Sequence, residues 1–124
     1  MHPTDQILAG VDDMFFAARI RTVAEGLGRQ ISFAKTNADL IQKAESMSPS
    51  LIIIDLNSER LDPIKSIQEL KSHARLRELP IIGFLSHVQT DLKKMAEEAG
   101  CDNVMPRSAF TQRLPELLAL KGSS

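Results

Sequence analysis

Hydrophobic positions in this chain fall into short unbroken runs, alternating with longer stretches in which apolar residues recur every three or four places. Leu51-Ile52-Ile53-Ile54 is the clearest run. Four branched aliphatics in a row have no polar face to offer water, so they predict a central strand covered on both sides and ending at Asp55. Ile81-Ile82-Gly83-Phe84-Leu85 reads the same way and delivers Ser86, while Ile7-Leu8-Ala9-Gly10-Val11 delivers Asp12 and Asp13. Ile31 and Phe33 alternate with polar neighbours, the pattern of a strand near an edge, and a weaker fifth strand is expected over 103–105.

Helical spacing fills the intervals. Phe16, Ile20, Val23 and Leu27 share one face of a first helix, with Gly26 and Gly28 bracketing its exit. Asn37 is expected to cap a second helix carrying Leu40, Ala44 and Met47, which Pro49 stops. Ile64, Ile67 and Leu70 mark a third. Thr90 is expected to cap a fourth, with Leu92, Met95, Ala96 and Ala99 facing inward and Gly100 ending it. Phe110, Leu114, Leu117 and Leu118 predict one final amphipathic helix. Five βα units of this kind give an α/β fold, a five-stranded parallel (βα)5 sheet with helices on both faces. Residues 1–5 read as a loose leader and 121–124 as a tail, so a single domain over 1–124 with its core at about 6–120 is expected.

Composition narrows the function. The chain has 124 residues, 43% hydrophobic and 25% charged, with a formal charge of -1 and a sequence pI near 6.3. That balance carries no basic field for nucleic acid. No apolar run approaches the roughly 20 residues that cross a bilayer, so no membrane partner is expected and a cytoplasmic location is. Cys101 is the only cysteine and reads as a buried free thiol. His2, His73 and His87 lack any ligand spacing and read as surface residues. The basic cluster of Lys71, His73, Arg75 and Arg77, interleaved with Glu69 and Glu78, reads as a solvated face.

The acids at the strand ends carry the candidate chemistry. Parallel neighbouring strands bring Asp12, Asp13 and Asp55 to one edge of the sheet, where two carboxylates about 4 Å apart repel by roughly 4 kcal/mol at an effective dielectric near 20. A metal ion or a proton has to relieve that. Read alone, Asp12-Asp13 is equally a helix cap. Ser86-His87 lacks a nucleophile elbow, which argues against hydrolysis.

Taken together, Asp12-Asp13, Asp55, Ser86 and a basic residue after the fifth strand resemble the pattern of response-regulator receiver domains, over about residues 6–120. The resemblance implies a phosphorelay protein of bacterial two-component signalling, not an enzyme in its own right. It implies that Asp55 accepts a phosphoryl group and that Mg2+ is held by Asp12, Asp13, Asp55 and the backbone carbonyl of Asn57. It further implies that Ser86 hydrogen-bonds the phosphoryl oxygens and that Arg107 stands where the family has lysine. An alternative register places Met105 at the lysine position and Pro106 at the family proline. The implied partners are a histidine kinase or phosphotransfer protein and a downstream effector, met through the surface at about 90–120, with the protein a monomer or weak homodimer. Three departures stand out. Arg107 is followed by Ser108 instead of proline, Val104 replaces a common aromatic, and Ser58-Glu59 replaces the usual Met-Pro after Asp55. These departures define the alternative expectation, a pseudo-receiver that binds partners without phosphorylation.

Overall fold

A computed structural model describes residues 6–86 and 89–119. Five strands, β1 (Gln6–Gly10), β2 (Gln30–Ala34), β3 (Leu51–Asp55), β4 (Ile81–Leu85) and β5 (Asn103–Pro106), form one parallel sheet in the order β2-β1-β3-β4-β5. Between them run α1 (Met14–Gly26), α2 (Asn37–Met47), α3 (Pro63–Ser72) and α4 (Thr90–Ala99), and after β5 come α5 (Arg107–Gln112) and α6 (Leu114–Leu118). All five residues of β3 and of β4 are buried, as unbroken aliphatic runs require, while β2 at the edge keeps only Ala34 fully inside.

Alternation along the strands divides the interior into two layers. Ile7, Ala9, Leu51, Ile53, Ile82 and Phe84 face α1, α5 and α6; Leu8, Ile52, Ile54, Ile81 and Leu85 face α2, α3 and α4. Gly83 is required by the second layer, because a Cβ there would stand 3.0 Å from Leu56 and 3.1 Å from Cys101 Sγ. Gly100 ends α4 in the left-handed region, at φ +119. The chain runs from β1 outward to β2 and then back across to β3, so the strand order reverses between β1 and β3. That reversal opens a cleft above their carboxyl ends.

Several local expectations are corrected. The last helix is two: Arg113 leaves helical geometry at φ -96, ψ 6, and Pro115 has no N–H to continue the ladder. Thr36 caps α2, its side chain accepting the Asp39 N–H at 3.2 Å. Asn37 instead donates to Glu69 at 2.6 Å. Gln89 occupies the cap position of α4 without a side-chain capping bond, so Thr90 is its first residue. Met95 is half exposed, and the fourth helix buries only Ala96 fully. His2 and His87 lie outside the described residues.

Candidate functional site

Strand β3 ends in Asp55 with its side chain at the cleft and only 6% of the residue exposed. Burial, the largest influence, pushes its carboxyl above the usual 3.8; the Asn57 N–H and Arg107 pull it down, and Asp12 and Asp13 push it up again. The Asn57 N–H donates to Oδ1 at 2.9 Å. Desolvation therefore outweighs the mutual repulsion of the acids in raising this group.

Asp13 meets the helix-cap reading of the acidic pair. It caps α1, with Oδ1 accepting the N–H groups of Phe15 at 3.0 Å and Phe16 at 3.1 Å. Its Oδ2 meets Arg107 Nη2 at 3.4 Å. The Phe16 N–H, seconded by the Phe15 N–H and the guanidinium, holds this carboxyl below its usual range against the opposing effect of partial burial. Asp12 is oriented differently. Its Oδ2 accepts the Ser58 hydroxyl at 2.8 Å.

The two residues of the alternative registers at β5 lie in different places. Met105 pairs with Phe84 across the ladder and is buried in the core, whereas Arg107 opens α5 and reaches back over the acids. Its guanidinium lies 4.2 Å from the Phe16 ring centroid and 5.6 Å from that of Phe84. These rings pack on each other at 5.0 Å, and Phe84 stacks on Phe110 at 4.7 Å, which gives the cation an aromatic shelf.

Ser86, exposed at the end of β4, is tied to the β3–α3 loop through its backbone: its N–H donates to Asn57 Oδ1 at 2.6 Å. Asn57 Nδ2 donates in turn to Gln89 Oε1 at 2.8 Å. One side chain thus bridges the β3–α3 loop to both flanks of the 87–88 segment. The family resemblance implies a role for Asn57 only through its carbonyl. Ser58 and the Phe16–Phe84 shelf also escaped it, although Ser58 stood out as a departure in the loop.

All six predicted positions, Asp12, Asp13, Asp55, Asn57, Ser86 and Arg107, therefore surround one cleft. Their oxygen donors are hard, the kind that Mg2+ takes while keeping several waters. Oδ1 of Asp12 and one oxygen of Asp55 accept no hydrogen bond among the described residues. Those two carboxylates and the Asn57 carbonyl fit a divalent cation, whereas Asp13 would have to part from Arg107 to join them. Among the described residues no three acidic, histidine or cysteine side chains already form a metal-holding group.

No family model matches the sequence, and no curated protein does. Solved structures do match. A response regulator from Hahella chejuensis superposes with a TM-score of 0.85 at 18% identity, covering 96% of this chain and 98% of its own. The chemotaxis response regulator CheY4 of Vibrio cholerae gives 0.81 at 15% identity, covering 91% and 94%. The Mn(2+)-bound form of response regulator Rcp1 gives 0.78 at 14% identity, covering 90% of each chain. The chain has the receiver fold. No helix among the described residues is long and apolar enough to cross a membrane.

Proposed function

We propose that this chain is a receiver domain in two-component signalling, taking a phosphoryl group on Asp55 with Mg2+ and passing the signal on by protein contact. The observation that carries the reading is the convergence of a buried strand-end carboxylate, two neighbouring acids and one anchored cation at the switch point of a receiver-fold sheet. Asp55 attacks phosphorus as the bond to the donor nitrogen breaks. The departing imidazole keeps the electron pair and carries a proton, and a mixed anhydride remains on Asp55. The transition state is loose, with charge spread over the phosphoryl oxygens, so what the protein contributes is position and positive charge. Arg107 supplies a planar guanidinium beside the acids, and Ser86 a hydroxyl at the mouth. Mg2+ held by Asp12, Asp55 and the Asn57 carbonyl, joined by Asp13 once it leaves Arg107, would supply further neutralisation.

The surface supports two kinds of partner. Met14 and Phe15, 75% and 90% exposed, stand at the start of α1 beside the acids, where a histidine kinase or phosphotransfer protein presenting a phosphohistidine needs apolar footing. Between α4 and β5 lies a groove of about 220 Å³ lined by Leu85, Gln89, Lys93, Val104, Met105 and Pro106, within the expected effector surface. Because Val104 offers no large ring to turn inward, the change on phosphorylation runs through Ser86, Asn57 and Gln89. Cytoplasmic signalling is the setting this reading requires.

The test is intact mass after incubation with Mg2+ and a small phosphodonor. One added phosphoryl group, labile to base and absent in Asp55→Asn, is the expected result. A specific observation favours the pseudo-receiver as second reading: both oxygens of Asp13 are already engaged, by the α1 cap and by Arg107. No gain in mass under conditions that modify other receivers would select it.

A further inference from the structure

Ser58 occupies the loop position that departs from the family pattern, and its hydroxyl is buried with two partners. The Leu61 N–H donates to Oγ at 3.3 Å, and Oγ donates to Asp12 Oδ2 at 2.8 Å. The loop holding it is rigidly placed: the Ser58 N–H returns to the Asp55 carbonyl at 3.1 Å, Ser66 Oγ donates to the Leu61 carbonyl at 2.9 Å, and the Leu61 side chain is fully buried over Gly10. A backbone N–H occupying one side of Oγ directs its single proton toward Asp12.

The two adjacent acids are thereby treated in opposite ways. Arg107 opposes the charge of Asp13. Ser58 is a neutral donor, so it fixes one oxygen of Asp12 without adding a counter-charge and leaves the second oxygen without a hydrogen bond among the described residues. A ligating carboxylate is commonly oriented by such an outer hydrogen bond, and losing that partner typically weakens metal binding by about 10- to 100-fold.

We infer that Ser58 is a positioning residue for a divalent cation, holding the Asp12 carboxylate toward Asp55 across the cleft. The inference rests on the reading above that the acids take such a cation.

The experiment titrates the full chain with Mn2+ alone, reading free Mn2+ by its electron paramagnetic resonance, with circular dichroism of each metal-free variant as the check on folding. Ser58→Ala should weaken Mn2+ binding by about tenfold. Ser58→Thr, which keeps the hydroxyl, should stay within about threefold of wild type, while Ser58→Cys, similar in volume but a poor donor, should weaken binding. In an Asp12→Asn background, Ser58→Ala should add nothing, because the group it orients is gone. Equal Mn2+ affinity in folded wild type and Ser58→Ala would overturn the inference and leave Ser58 a strut of the loop, as would folded Ser58→Thr binding as weakly as Ser58→Ala. Wild type that binds no Mn2+ would overturn the cation reading itself, an outcome distinguishable because it appears before any variant is compared.

Discussion

Truncating Arg107 to alanine removes the cation of the site, and the structure allows the cost to be worked out. The guanidinium lies over Phe16 at 4.2 Å and near Phe84 at 5.6 Å, an interaction worth about 1 kcal/mol for a partly desolvated pair. Its pair with Asp13, at 3.4 Å and with each side chain more than a third exposed, adds at most about 0.5 to 1 kcal/mol. Against these, the buried Nε finds no acceptor among the described residues, a cost that truncation relieves. With that relief taken at the low end of its range, about 1 kcal/mol, a net loss of about 0.5 to 1 kcal/mol at pH 7 follows.

Asp55 makes the loss depend on pH. Its folded-state pKa is raised, so ionised Asp55 is a penalty present above that pKa and relieved as pH falls through it. Without Arg107 the penalty deepens, so the destabilisation should be larger at pH 7 than near pH 4. Arg107→Met, which keeps a stem over the rings and removes the charge, should retain most of the pH-dependent part and recover some of the rest. Urea unfolding at the two pH values measures both. A loss below about 0.5 kcal/mol at pH 7, or one that grows as pH falls, would refute the reasoning, because neither ring contact nor counter-charge would then be supporting the fold.

Asp55→Asn should stabilise the metal-free protein by about 1 to 3 kcal/mol at pH 7, with the gain shrinking as pH falls through the raised pKa of the wild-type carboxyl; thermal melts at falling pH decide it, and a destabilised Asn variant would contradict it. Cys101, whose thiol burial pushes up to about 11, should resist alkylation at pH 8 at the rate of global unfolding, whereas prompt labelling of the native protein would show the second core layer to be open. Phe110→Ala should cost about 3 to 5 kcal/mol by emptying the stack beneath the Arg107 shelf, as chemical denaturation would show; a loss under 1 kcal/mol would mean that the stack does not carry α5.

The sheet was legible because its evidence is local. Ile52 to Ile54 and Ile81 to Leu85 leave no polar face, and their burial follows without knowledge of any partner. Boundaries were less legible, since Thr36 and Asn37 are both competent caps and only the distant Glu69 claims the second. The final helix was misread because Phe110 and Leu114 keep helical spacing across a break that Pro115 imposes. Within the site, strand ends announced the carboxylates, and a basic residue after the fifth strand pointed to Arg107. What stayed hidden is long-range: Ser58 meets Asp12 from 46 residues away, and Asn57 meets Gln89 from 32. No periodicity encodes such contacts, and their only trace was a serine where an apolar residue fits the family pattern.

The central claim is that Asp55 carries the phosphoryl group, and trapping it by reduction is the most direct measurement. After incubation with Mg2+ and a small phosphodonor, borohydride converts an aspartyl phosphate to homoserine, which peptide mass mapping locates. Homoserine is expected at position 55, with Asp12 and Asp13 unmodified. Reduction at another carboxylate, or an Asp55 left unmodified while the same treatment converts the acceptor of a known receiver, would contradict it.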